Sequence, residues 1–422
     1  MSRTITIGDA VGSLLRDGMP VRFTAYDGSS AGPPDAEIHL DLLTERGLAF
    51  IMTAPGDLGM ARAYVSGDLD INGVHPGDPY PALQLLQNRT QFRRPSPGEA
   101  LAIVRALGIS NLKPPSPPPQ EHLPRWRRTM EGLRHSMSRD AEVIHHHYDV
   151  SNTFYEHVLG PSMTYTCAVY PTADATLEEA QLTKYELVAR KLDLQEGQRL
   201  LDLGCGWGGM VRHAARQGVH ALGVTLSREQ ASWAQQAIKE EGLDHLAEVR
   251  FMDYRLVEES GFDAISSIGL TEHIGVKNYP AYFGFIRDRL RPQGRLLNHC
   301  ITRYDNVPRA TGAFIDRYVF PDGELIGSGK IITEVQNAGL EVQHEENFRV
   351  HYAKTLAAWC QNLVDNWDAC VAEVGEGTAR VWGLYMAGSR LAFERNDIQL
   401  HHVLATKTDD DGVSGYPLRH AF

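Results

Sequence analysis

The chain has little cysteine, no long apolar run and no positive net charge. Its five cysteines (Cys167, Cys205, Cys300, Cys360 and Cys370) are odd in number and lack paired spacing. That argues against a disulfide framework and for reduced thiols. No apolar stretch approaches the roughly 20 residues that a spanning helix needs. The start, Met1-Ser2-Arg3-Thr4-Ile5, lacks a secretory apolar core, so a cytoplasmic location is expected. A net charge of −12 over 422 residues argues against general nucleic-acid binding. Internal repeats are absent. His145-His146-His147 has no acid or cysteine at ligand spacing, and consecutive side chains point in different directions. No metal site is expected there.

The charge that is present is unevenly placed. Between Gln87 and Asp140, ten Lys/Arg face four Asp/Glu. Such a stretch reads either as a solvated helix and linker face or as a surface attracted to an anionic membrane. Within it, Lys113-Pro114-Pro115-Ser116-Pro117-Pro118-Pro119 makes a stiff, extended linker. Boundaries follow at 1–112 for a mixed N-terminal domain, 113–139 for a Pro- and Arg-rich linker and 140–422 for the main domain. In the first part, strands are expected at Pro20–Tyr26 and Glu37–Leu40 around a Gly/Pro-rich turn. In the last, Thr176-x-x-Glu179 is a capping box that opens a helix to about Leu192. Strands are expected at Arg199–Leu203, His220–Leu226, Glu248–Met252, Asp263–Ile268 and Gly294–Ile301, with helices between them. That alternation means a parallel sheet covered on both faces.

The densest signal is Leu200-Leu201-Asp202-Leu203-Gly204-Cys205-Gly206-Trp207-Gly208-Gly209. An apolar strand runs into a glycine turn and then a helix from about Met210 to Gln217. Glycines admit a ligand close to the backbone, and a helix start favours an anionic group. A dinucleotide and S-adenosylmethionine (SAM) both fit such a turn, and the glycine spacing alone does not separate them. The next strand does. A dinucleotide site wants an acid at its end for the ribose. Here it reads His220-Ala221-Leu222-Gly223-Val224-Thr225-Leu226, with no carboxylate. Ligands in such sheets bind beyond the strands' carboxyl ends. Asp202, Thr225, Asp253, Glu272 and His299 are all expected there, which points to one active site.

Further motifs follow in order. They are His147-Tyr148-Asp149-Val150-Ser151-Asn152, Tyr165-Thr166-Cys167-Ala168, Gly223-Val224-Thr225-Leu226-Ser227, Glu272-His273-Ile274-Gly275, Phe320-Pro321-Asp322-Gly323-Glu324-Leu325, His351-Tyr352 and Arg395-Asn396-Asp397-Ile398-Gln399-Leu400. With the glycine turn, this ordered set resembles the cyclopropane-fatty-acyl-phospholipid synthase family. The first 110 residues resemble that family's N-terminal domain only loosely.

The resemblance implies a class I SAM-methyltransferase fold. That is a Rossmann-like α/β domain with a mostly parallel seven-stranded sheet, beside a smaller N-terminal α+β domain. It implies methyl transfer from SAM to a cis double bond of a phospholipid acyl chain. An alkene is a weak nucleophile, its attack leaves a carbocation, and a base must then take a proton while water is excluded. In the family that base is a bound bicarbonate. Its ligands carry over to Cys167 and Ile301 through their backbones, and to Glu272, His299 and Tyr352. SAM contacts carry over to Tyr165 and Thr166, to Asp202, Gly204, Cys205, Gly206 and Gly208, to Thr225, Leu226, Ser227 and Gln230, and to Asp253 and Tyr254. Gln230 would meet the ribose, although Ser227-x-x-Gln230 also reads as a capping box. Trp207 would pack on the cofactor or fill the loop. An unsaturated phospholipid at the inner, anionic membrane face, a homodimer and a reductase partner are also implied.

One position departs from the pattern. Cyclopropane-forming members carry an aromatic residue just before the catalytic Glu, and here Thr271 stands there. A small polar residue beside Glu272 would favour a methylene branch over a cyclopropane ring. Two other readings stay open. They are a methyltransferase acting on O or N of a small soluble molecule, and a non-catalytic SAM- or lipid-binding protein.

Overall fold

The computed structural model describes residues 5–16, 18–89, 93, 95–121, 151–307, 309–321, 323–420 and 422. Arg94, most of the arginines in the basic stretch (Arg125, Arg127, Arg128, Arg134 and Arg139), the 145–150 motif and Asp322 lie outside the described residues. Contacts divide the chain into two units. One comprises Met1–Leu123, Gly312–Val319 and Trp359–Leu391, and the other Pro124–Thr311, Phe320–Ala358 and Ala392–Phe422. The boundaries drawn from sequence had left 312–319 and 359–391 with the main domain. Packing between residues far apart in the chain sets that grouping, and no local composition marks it.

The first unit holds a four-stranded sheet of order β2-β1-β3-β4, from β1 (Arg22–Ala25), β2 (Ser30–Ala31), β3 (His39–Leu42) and β4 (Leu69–Asn72). Phe23, Leu40, Leu42 and Leu69 are buried with Leu48, Phe50 and Tyr64 from the following helices. Alternation along β1 and β3 puts every second side chain into that core. The buried Glu121 is gripped by Arg62 at 2.6 and 2.7 Å and is paired with Arg317. The Tyr318 hydroxyl donates to the same carboxylate at 3.2 Å.

The second unit is built on a seven-stranded sheet of order β12-β13-β9-β8-β5-β6-β7. Its strands are β5 (Arg199–Leu203), β6 (His220–Thr225), β7 (Ala247–Phe251), β8 (Phe262–Ile268), β9 (Leu290–Arg303), β12 (Glu341–Asn347) and β13 (Ile398–Thr406). β10 (Arg309–Ala310) and β11 (Glu324–Leu325) form a separate pair. Strands β5 to β9 run parallel, while β13 is antiparallel to both β9 and β12. The sheet is thus mostly parallel, as expected, in an α/β unit. Both faces are covered. Leu201, Val224, Ile265 and Leu296 pack on one side, and Leu200, Ala221, Ala264 and Leu297 on the other.

The chain lays down β5, β6 and β7 in one direction, then crosses back to add β8 and β9 on the far side of β5. The order therefore reverses between β5 and β8. Loops at such a switch point diverge and leave a crevice for a ligand. The helix Leu177–Leu192 backs this region. It opens with the capping box read from sequence: Glu179 N–H donates to Thr176 Oγ1 at 3.2 Å, and Thr176 N–H donates to Glu179 Oε2 at 2.8 Å.

Candidate active site

The glycine turn after β5 is pinned from below. The N–H groups of Gly204 and Cys205 both donate to Val224 O at 3.0 Å. Gly204 has φ +71°, and an added Cβ would lie 3.2 Å from Leu270, just before Glu272. Any side chain there is strained, and the turn is held against the Glu272 segment. At Gly209, the first residue of the helix Gly209–Arg216, a Cβ would collide with the Tyr185 hydroxyl. Cys205 turns its sulfur toward Gly223 on β6, so only its backbone can serve a cofactor. Trp207 fills the loop: it is buried, packs at a tilt 4.7 Å from Tyr155 and donates from Nε1 to Asn152 Oδ1 at 2.9 Å. Tyr165 continues that aromatic row, 5.9 Å from Tyr155.

At the end of β6, Thr225 donates from Oγ1 to Gln230 Oε1 at 2.8 Å. Ser227 caps the helix Arg228–Glu240 by accepting from Gln230 N–H at 3.2 Å. The Gln230 side chain does not return to Ser227, so the capping box expected there is only half made. Thr225 orients the Gln230 amide instead. Asp253 is buried and paired with Arg255 at 2.6 Å, while the Tyr254 ring packs edge-on to Tyr282 and Phe285.

Behind the turn, Asp202 is buried and accepts from the Ser266 hydroxyl at 2.6 Å. Lys184, also fully buried, donates to Thr166 Oγ1 at 2.8 Å. Burial pushes the Asp202 carboxyl up and the Lys184 ammonium down, and their mutual attraction opposes both shifts. Gln181 donates to Thr166 O at 3.0 Å. Thr166 is thereby fixed against Gly269, at the exit of β8.

Glu272 sits in the short helix Thr271–Ile274 that follows β8. Its Oε1 accepts from Ile301 N–H at 3.1 Å, and its buried Oε2 has no partner among the described residues. Burial raises the carboxyl to about 7, against the hydrogen bonds that lower it. The Ile301 N–H expected to hold an anion directly is thus committed to Glu272, and Ile301 positions that carboxylate. His299 was expected at a strand end and lies inside β9, which runs on to Arg303. Its Nδ1 meets His402 Nε2 at 2.8 Å, and its buried Nε2 also has no partner among the described residues. Burial, with Lys184 and Lys191 nearby, holds its pKa well below the usual histidine value.

Cys167 is fully buried, its thiol pushed well up by burial and its sulfur 3.8 Å from Phe348 O. Phe348 in turn packs at a tilt against His402, with ring centres 4.4 Å apart. Tyr352 lies one turn further along, its N–H on Phe348 O, with its ring against Phe393 at 4.5 Å. Thr271 is fully buried and donates its hydroxyl to Asn298 Oδ1. Asn298 and His299 are neighbours on β9 and so face opposite sides of the sheet. Sequence reading missed Lys184, Lys191, Gln181 and His402. No local pattern marks them, because each meets the site through tertiary contacts.

Unpaired buried polar atoms are costly and rare, and they cluster where a ligand completes them. Two of those among the described residues are Glu272 Oε2, in the helix after β8 and tied to β9 at Ile301, and His299 Nε2, on β9 itself. The donor set fits an anion, or a carboxylate sharing a proton with one. The glycine turn and the Thr225–Gln230 pair fit a nucleoside with a charged tail.

Residues 135–403 match the family described as Mycolic acid cyclopropane synthetase. A probable fatty acid methyltransferase of Mycobacterium tuberculosis is 65% identical over 401 residues, covering 95% of this chain and 94% of its own. The cyclopropane-fatty-acyl-phospholipid synthase of Escherichia coli K12 is 34% identical over 268 residues, 63% of this chain and 68% of its own. A mycolic acid cyclopropane synthase solved with SAH and CTAB superposes with a TM-score of 0.59 at 31% identity, covering 63% of this chain and 97% of that one. Motif order, fold and these matches agree: the chain is a SAM-dependent methyltransferase and belongs to the mycolic acid cyclopropane synthetase family.

Proposed function

We propose that the protein methylates the cis double bond of an unsaturated acyl chain in a phospholipid and then removes a proton from the added carbon. The observation that carries this reading is the pair of orphaned buried atoms, Glu272 Oε2 and His299 Nε2, beside the SAM turn. An O- or N-methyltransferase has no need of such a pair. The names of the relatives in Mycobacterium tuberculosis and Escherichia coli support an acyl substrate.

When bound, SAM supplies an electrophilic methyl group and bicarbonate supplies a base. Gly204, Cys205, Gly206 and Gly208, with Asp202 behind them, would hold the methionine end. Thr225, Leu226, Ser227 and Gln230 would hold the ribose, and Asp253 with Tyr254 the adenine. Tyr165 and Thr166 would close over the reacting end. Glu272 stabilises positive charge as it develops on the acyl chain, because a carboxylate in a dry site acts at low dielectric. His299 and Tyr352 would hold the anion beside it, with the Cys167 backbone. Burial of these groups keeps water from the cation.

Of the two products, a methylene branch is favoured over a cyclopropane ring, because Thr271 replaces an aromatic residue next to Glu272. A reductase would then convert the methylene to a methyl branch. The substrate places the enzyme, as a homodimer, at an anionic membrane face. No helix among the described residues is long and apolar enough to cross a membrane.

The test is incubation with SAM and anionic vesicles of oleoyl phospholipid, followed by mass and proton NMR of the recovered fatty acids. A gain of one CH₂ with vinylidene protons supports the methylene product, and ring protons mean cyclopropane. No gain, with SAM still bound, refutes the lipid reading. In the same assay Thr271→Phe should raise the cyclopropane share, and an unchanged product ratio removes Thr271 as the determinant.

A further inference from the structure

A neutral imidazole carries one N–H, so each nitrogen is either a donor or an acceptor. What His299 offers at Nε2 therefore depends on what holds its Nδ1. That atom lies 2.8 Å from His402 Nε2, across directly paired positions of β9 and β13. His402 Nδ1 lies 3.1 Å from Lys191 Nζ, and Lys191 donates to Glu346 Oε2 at 2.6 Å. Both histidines and Lys191 are buried, whereas Glu346 reaches solvent. The Phe348 ring packs on His402 and lies 5.1 Å from Lys191 Nζ. Four polar groups thus run in single file from the surface to the orphaned nitrogen of His299.

The direction of each hydrogen bond follows from the first. Burial lowers the pKa of Lys191 and the bond to Glu346 opposes that shift; as an ammonium, Lys191 has hydrogens to give and no lone pair. Lys191 therefore donates to His402 Nδ1. His402 is neutral, because burial and the facing Lys191, His299, Lys184 and His344 all oppose a charge on it. Its single proton then sits on Nε2 and is donated to His299 Nδ1. His299 is neutral for the same kind of reason, with Lys184 and Lys191 facing it. Its own proton is left on Nε2, the atom with no partner among the described residues.

We propose that Glu346, Lys191 and His402 are positioning residues that lock His299 as the Nε2–H tautomer, so that His299 donates to an anion in the Glu272 site and does not act as the base. This deepens the reading of that site as anion-holding and rests on it. Sequence alone does not order these groups, since His299 and His402 lie 103 positions apart.

Imidazole ¹⁵N NMR of the whole protein labelled at histidine tests the lock without turnover. His299 should show a protonated Nε2 and a bare Nδ1 around neutral pH. A protonated Nδ1, or an imidazolium, overturns the proposal whatever the substrate proves to be. Turnover then tests its use. Leucine at 402 breaks the file, and glutamine restores an acceptor toward Lys191 and a donor toward His299. His402→Leu should lower kcat by at least about tenfold with SAM affinity unchanged, and His402→Gln should recover most of that loss. Equal loss in both folded variants overturns the role of the relay. Should His402→Leu fail to fold, Lys191→Met serves in its place. It should leave the His299 signals a mixture of tautomers, and an unchanged single tautomer contradicts the proposal.

Discussion

Replacing Glu272 by glutamine separates the cost of this residue from its use. The glutamine oxygen keeps the bond from Ile301 N–H, and the shape is unchanged. What disappears is a carboxyl whose pKa burial lifts from 4.5 to about 7. A carboxyl raised in the folded state favours folding fully below its unfolded value, and that contribution is lost as pH rises through the folded value. Relative to an unburied carboxyl, wild-type protein at pH 8 therefore carries a penalty of about 3 kcal/mol, which falls to about 1 kcal/mol at pH 5 and vanishes below about pH 4. Glu272→Gln should accordingly be the more stable protein at pH 8, by roughly 6–12 °C in Tm for a unit of this size. Near pH 4 the two should melt together. Lipid methylation should fall by at least about 100-fold, as for loss of a preorganised electrostatic group. The assay is a pair of thermal melts across pH in bicarbonate-free buffer, alongside turnover at saturating SAM. A variant less stable than wild type at pH 8, or a difference that does not change with pH, refutes the buried-charge argument.

Three other outcomes are expected. Gly209→Ala should drive a methyl group into the Tyr185 hydroxyl and cost about 1–3 kcal/mol, read as a lower Tm together with weaker SAM binding in calorimetry. Glu121→Ala should take the shared carboxylate from Arg62 and Arg317, each largely buried, and destabilise the first unit by about 3–5 kcal/mol. Chemical denaturation measures that, and a change below about 1 kcal/mol means the cluster behaves as an exposed ion pair. Thr271→Val should leave the buried Asn298 Oδ1 without its donor and cost about 1–3 kcal/mol, again by denaturation.

Much of the sheet was legible from residues close in sequence. The strand read at Arg199–Leu203 is β5 to the residue, and those at His220, Glu248 and Asp263 differ from β6, β7 and β8 by a residue or so at their ends. Apolar runs between capped helices carry that information locally. β12 was not marked, because Glu341–Asn347 is an edge strand made largely of polar residues, none of them buried. Only the pairing with β13 makes it a strand. The site shows the same division. Glu272, His299 and the glycine turn were found through motif order. That Ile301 serves Glu272, that Gln230 serves Thr225 and that His402 backs His299 all depend on strand register and on loops meeting at the switch point.

In the proposed reaction a methyl group goes to carbon and then gives up a proton. SAM carrying a fully deuterated methyl, supplied with oleoyl phospholipid vesicles, tests it most directly by mass spectrometry of the product. Two of the three deuterons should remain in the fatty acid, as both a methylene branch and a ring require. Retention of all three, or label appearing only outside the acyl chain, would contradict the account.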